Sequence, residues 1–212
     1  MSKKSIDTFI QASLALFMQH DEFVAAVYAL LSSKHSVTTY KDPNGMPYIE
    51  ISHKEIATEL GISKSSVSRS VSTLVSIGLV ECFRAGFGKK STVRVYPLSM
   101  AGIDDTEFIK IDLHLLKNAD ISLKCKMYYG LRVGLSCGKM SRAKCAAKLG
   151  VSERTITNWN FALESLGLIK AHFVALGKCL YIETLSAISV VKTRAQVFVE
   201  SLGMKYIAAV HC

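Results

Sequence analysis

The chain carries one 29-residue pattern twice. Residues 52–80 read SHKEIATELGISKSSVSRSVSTLVSIGLV and residues 141–169 read SRAKCAAKLGVSERTITNWNFALESLGLI. They align without a gap at an offset of 89, and nine pairs are identical: Ser52/Ser141, Ala57/Ala146, Leu60/Leu149, Gly61/Gly150, Ser63/Ser152, Leu74/Leu163, Ser76/Ser165, Gly78/Gly167 and Leu79/Leu168. Ile62/Val151 and Val67/Ile156 are conservative. A duplicated unit has to fold the same way twice, so the chain is restricted to architectures with two like pieces. The echo extends upstream, where Phe9-Ile10-Gln11-Ala12-Ser13-Leu14 resembles Phe108-Ile109-Lys110-Ile111-Asp112-Leu113 at an offset of 99. A helix-like stretch follows each, Phe23 to Ser32 and Leu123 to Gly134. The offset falls from 99 to 89 because the first copy holds about ten extra residues before Ser52. These contain Asp42-Pro43-Asn44-Gly45 between Val37–Tyr40 and Tyr48–Ile51, and Asn-Gly between β-prone runs predicts a hairpin.

The repeated unit reads as two helices and a hairpin. Ser52 is a good N-cap, and Glu55 three residues on completes a capping box. Ile56, Ala57 and Leu60 then share one helical face. Gly61 ends this helix, because glycine takes the left-handed conformation cheaply. Ser63 caps a second helix, whose Val67, Val71, Leu74 and Val75 have inward spacing, and Gly78 ends it. Two helices joined by so short a turn make a helix-turn-helix. Strand-like Leu79–Phe83, a turn at Gly86–Ser91 and Thr92–Tyr96 follow. In the second copy the counterparts are Leu168–Val174, a turn at Leu176-Gly177-Lys178, and Cys179–Thr184.

The expected fold is therefore α+β, mainly α, with two tandem winged helix-turn-helix domains. The first spans 1–98, with its extra hairpin near 37–51. A linker at 99–106 leads to the second at 107–186. Residues 187–212 form an extension, where Val191, Ala195, Phe198, Val199 and Leu202 suit a helix ending at Gly203. Both segments resemble the bacterial winged helix-turn-helix superfamily in the run Ser-x-x-x-(Ile/Cys)-Ala-x-x-Leu-Gly-(Ile/Val)-Ser and the later Leu-x-x-(Ile/Leu)-Gly-Leu. The tandem arrangement, each copy opened by a short strand, resembles the plasmid replication initiator (Rep) proteins. That resemblance implies binding to origin repeats and to the protein's own operator.

In such a domain the second helix enters the major groove and presents its N-terminal residues to base edges. The outward set predicted for the first copy is Lys64, Ser65, Ser66, Ser68 and Arg69, and for the second Glu153, Arg154, Thr155, Thr157 and Asn158. Arg suits guanine, Asn adenine, and Glu accepts from cytosine. Arg84, Lys89, Lys90 and Arg94 cluster on the first wing as phosphate contacts; the second has Lys178 at its turn. Arg142, Lys144 and Lys148 on the first motif helix of the second copy add to Arg154. Trp159 and Phe161 invite a base-stacking reading, but helical spacing favours packing. Asn160 stands where the first copy has Val71 and breaks the apolar pattern.

Composition agrees with a nucleic-acid partner. The net charge is +9 and the pI about 9.3. Residues 1–106 hold 11 basic and 10 acidic residues, and residues 107–212 hold 15 and 7, so the second half has the stronger field. An apolar content of 50% argues against disorder. The longest clean apolar run, Phe23–Leu31, is too short to span a membrane. The stretch after Lys3-Lys4 is broken by Asp7, Gln11 and Ser13 and reads as part of the fold. Six cysteines without a Cys-x-x-Cys pair suit reduced thiols in a cytoplasmic protein, with no metal site and no cofactor. Gly134–Met140 falls short of a phosphate loop, and neither Gly-x-Ser-x-Gly nor His-Glu-x-x-His occurs, so no enzyme is expected. The expected function is sequence-specific binding of double-stranded DNA in replication initiation, with autoregulation. Host replication proteins are further partners and a homodimer is left open. The alternatives are a transcriptional repressor and, from another class, a winged-helix interaction scaffold of a chromosome condensation complex.

Overall fold

The computed structural model describes residues 9–84, 90–104, 106–116, 118, 120–134, 140–174 and 178–184. β1 (Phe9–Ser13) runs directly into α1 (Leu14–Gln19), and α2 (Glu22–Ser36) follows. β2 (Ile49–Ile51), α3 (His53–Leu60), α4 (Lys64–Ser76), β3 (Val80–Arg84) and β4 (Ser91–Val95) come next, then a 3-10 turn at Leu98–Ala101. β5 (Phe108–Asp112), α5 (Leu113–Leu116), α6 (Leu123–Gly134), α7 (Arg142–Leu149), α8 (Glu153–Ser165), β6 (Ile169–Val174) and β7 (Lys178–Thr184) complete the order. The architecture is mixed α and β, with small antiparallel sheets. No helix among the described residues is long and apolar enough to cross a membrane. Contacts divide the chain into two compact units, Met1–Leu135 with Ala147–Gly150, and Ser136–Ala146 with Val151–Cys212. The boundary in contacts thus differs from the boundary in the repeat.

In the first unit the two upstream echoes pair with each other. β1 and β5 are antiparallel, with Gln11 opposite Lys110 and Phe9 opposite Asp112. Gln11 and Lys110 are 99 apart, the offset of the echo, so equivalent strands meet about a local two-fold axis. The caps match as well. Ser13 Oγ accepts from the Leu16 N–H at 3.2 Å, and Asp112 Oδ1 accepts from the Leu115 N–H at 3.2 Å, each opening the short helix after its strand. α2 packs on β1 and α6 on β5. Ile10, Ala12, Leu16, Leu31, Ile109, Ile111, Met127 and Tyr128 are buried in this core. Gly130 lets α6 touch β5, since a Cβ there would lie 1.9 Å from the Lys110 carbonyl oxygen.

Two local expectations are corrected. Ile49–Ile51 does not pair with 37–40: helix α2 runs on to Ser36, and β2 instead joins β4, giving a three-stranded sheet in the order β2-β4-β3. The 37–48 loop still closes around Gly45 at φ 79°, with Tyr40 and Tyr48 stacked at 5.7 Å and an isolated bridge between Lys41 and Pro47. Val75 faces outward at 45% exposure, while Ser70 is 2% exposed. The inner face of α4 is therefore centred between Val67 and Leu74, on Ser70's side, and apolar type alone places it too far round the helix. In the stretch between the copies, Leu98, the first residue of the 3-10 turn, and Ile103 beyond it are buried.

The repeat is reproduced in local structure. α3 and α7, and α4 and α8, begin and end at residues 89 apart. Gly61 and Gly150 are left-handed at φ 64° and 60°, and Gly78 and Gly167 at 74° and 69°. Ile62 and Val151 donate their N–H groups to Ala57 and Ala146, each at 3.0 Å. β3–β4 and β6–β7 are antiparallel hairpins, the second with an irregularity at His172/Phe173. The turn glycines Gly86, Gly88 and Gly177, the Cys137 segment and the 187–212 extension lie outside the described residues. Cys82, Cys125 and Cys145 are free thiols, and burial pushes Cys125 up to about 12.

Candidate nucleic-acid interface

Each second helix starts on a serine cap. Ser63 Oγ accepts from the Ser66 N–H at 3.0 Å, and Ser152 Oγ from the Thr155 N–H at 3.1 Å. These hydroxyls satisfy donors that an open helix end leaves orphaned, and they fix where the first outward residues emerge. On α4, Lys64, Ser65, Ser68 and Arg69 are exposed, as expected. Ser66 is not. It is buried and its hydroxyl shares a 2.9 Å hydrogen bond with Ser63, so it supports the cap and does not stand with the outward residues.

On α8, Glu153, Arg154 and Asn158 are exposed, while Thr155 and Thr157 are half-buried. Thr155 shares a 2.9 Å hydrogen bond with Ser152, the counterpart of Ser66 with Ser63. The Thr157 hydroxyl donates to the Glu153 carbonyl and accepts from Arg142 at 3.3 Å, tying α7 to α8. Trp159 and Asn160 are half-buried, and Phe161 is exposed. Among the described residues, Lys64, Arg69, Lys144 and Arg154 make no ion pair.

The first wing is less free than its cations suggest. Lys90 pairs with Glu55 of the α3 capping box at 2.6 Å. The Lys90 hydrogen bond and the Ser52 N–H bring the Glu55 carboxyl down to about 2. Arg94, expected as a phosphate contact, is ion-paired within the protein. It is held by Asp42 and Glu81 and lies over the Phe83 ring at 5.1 Å, with its Nε buried. Burial pulls its pKa down, but Asp42 and Glu81 outweigh that and raise it. Asp42 is the hub. Its other oxygen accepts from Asn44 and Met46 N–H groups at 2.8 and 2.9 Å, so one carboxylate both closes the 37–48 loop and grips β4. Nothing local in the sequence signals a pair 52 residues apart. Arg84 ends β3 opposite Ser91, and Lys178 opens β7 opposite Val174. Lys89 lies outside the described residues.

On the first helix of the second copy, Lys148 pairs with Glu107 at 2.6 Å, and the Lys144 side chain is exposed. Sequence reasoning also missed Lys126. It is only 3% exposed and donates to the Leu116 carbonyl at 2.7 Å, and burial lowers its pKa. Gly61 sits against the same carbonyl, 2.6 Å from where a Cβ would be, so the helix-turn-helix turn rests on the end of α5.

Residues 50–82 match the family model of the IclR helix-turn-helix domain. That span holds α3, the Gly61 turn and α4. Among solved structures, one described as the N-terminal domain of a DNA binding protein aligns with a TM-score of 0.37 at 16% identity, over 46% of this chain and 84% of that one. No curated protein sequence matches.

Proposed function

We propose that the chain is a sequence-specific double-stranded DNA-binding protein built from two winged helix-turn-helix copies, with α4 and α8 as recognition helices. One observation carries this reading. The two helix-turn-helix hairpins share boundaries, caps and left-handed glycines, yet differ in what they present outward: Lys64, Ser65, Ser68 and Arg69 against Glu153, Arg154 and Asn158. A common backbone with unlike polar faces suits reading two unlike half-sites. The net charge of +9 supplies the sequence-independent attraction to phosphate.

Occupancy of such a site is sufficient for transcriptional repression. Replication initiation by origin recognition is the second reading, favoured by the unlike helices, since a repressor more often gains two-fold symmetry by dimerising identical ones. Initiation adds host replication proteins as partners. Footprinting on the DNA flanking the coding sequence tests both. A single protected operator supports repression, and several repeated sites support initiation. No protection, with no binding to random duplex at low salt, would instead support the protein-interaction scaffold.

A further inference from the structure

One side chain on α8 remains unused by this reading. Phe161 is 65% exposed, although helical spacing predicts that it packs. A single exposed apolar residue is ordinary on a protein surface. What distinguishes Phe161 is its row. Arg154, Asn158, Phe161 and Ser165 follow at helical spacings of four, three and four, and all four are exposed. The corresponding row on α4 is Ser65, Arg69, Ser72 and Ser76, polar throughout. Beneath the row Ile156 and Leu163 fill the opposite face, so Phe161 cannot turn inward without displacing them.

We propose that Phe161 is a specificity-determining residue that reads the 5-methyl group of a thymine in the major groove. The inference rests on α8 acting as a recognition helix. Arg and Asn in the row match the hydrogen-bonding edges of guanine and adenine, and the thymine methyl is the one apolar feature a base pair shows in that groove. Phe161 lies three residues beyond Asn158, about 4.5 Å along the helix axis, close to one base step further on. The second copy thus selects a thymine where the first, with Ser72, has no methyl preference.

The test uses the full chain and a duplex that it enriches from a random library. Each thymidine in that duplex is replaced singly by deoxyuridine, which removes only the methyl. The wild-type chain should lose affinity at one position by about fourfold, the worth of one buried methyl. Phe161→Ala should bind both versions alike, and Phe161→Leu, which keeps an apolar side chain, should retain most of the preference. Phe161 is exposed, so both variants should unfold at the wild-type urea midpoint. If no deoxyuridine position weakens wild-type binding, or if Phe161→Ala keeps the discrimination, the inference is overturned while DNA binding stands. An equal loss by Phe161→Ala on both duplexes would place the ring against sugar or protein and also overturn it. If the chain enriches no sequence, the DNA-binding reading itself falls, and this inference with it.

Discussion

The two helix-turn-helix copies have the same backbone and reverse the sign of charge at three aligned positions. Position 55 is Glu in the first copy and its counterpart at 144 is Lys; Glu59 corresponds to Lys148, and Lys64 to Glu153. In the first copy the α3 carboxylates take up cations, Glu55 from the wing through Lys90 and Glu59 from α2 through Lys34. In the second copy the first helix itself supplies the cations. Duplication therefore preserved the serine caps, the turn glycines and the inner Val67/Ile156 and Leu74/Leu163 pairs, and let the charges move.

The largest expected difference between the copies is in their turns. Gly61→Ala meets both a positive φ and the Leu116 carbonyl at 2.6 Å, whereas Gly150→Ala meets the φ alone, with nothing within 4 Å. Urea denaturation should show about 3 kcal/mol lost for the first and about 1 kcal/mol for the second. Equal losses would mean that the α5 carbonyl yields and the turns are equivalent.

Next in size are the proposed base contacts. Arg69→Ala and Arg154→Ala should each weaken binding to a selected duplex by about 2 kcal/mol, with smaller losses on random duplex. Equal losses on both would make them phosphate contacts. The salt dependence sharpens the charge comparison. Lys144→Ala should make the slope of log affinity against log salt shallower by about 0.9, whereas Lys90→Ala should change it less, because Glu55 already neutralises Lys90. In a Glu55→Gln background, which frees Lys90, the change on Lys90→Ala should rise to match that on Lys144→Ala. A larger change for Lys90→Ala would reverse the assignment.

The smallest effect is on pH. Glu55 has its folded pKa lowered from 4.5 to about 2, so its contribution to stability is present above about 4.5 and is lost as pH falls towards 2. The stability gap between wild type and Glu55→Gln should close over that window. The pair is exposed and the gap small, shrinking further with salt. A gap that widens on acidification would contradict the pairing.

What was legible in the sequence was local. Ser52, Glu55, Gly61, Ser63 and Gly78 act within one or two turns, so their roles could be read directly. What was not legible depends on partners distant in the chain. The β1–β5 pairing, β2 joining β4 and the Asp42–Arg94 grip bring together residues tens of positions apart. Ser66 departs from its expected outward place for a related reason, and Ser70, which no apolar pattern marks, is buried as well. A small hydroxyl that bonds to a cap or stands between two inner apolar residues is buried despite its polarity. Phe161 is the converse, an apolar residue on an outer row.

The proposed function is sequence reading on double-stranded DNA through two unlike helices. Its most direct test is an equilibrium titration of the full chain, at physiological salt, against a duplex selected from a random library and a scrambled duplex of the same composition. The selected duplex should bind at least about a thousandfold more tightly. Arg69→Ala and Arg154→Ala should each relax preference at different base positions of the site. Equal affinities for the two duplexes, or no binding to either at low salt, would contradict it.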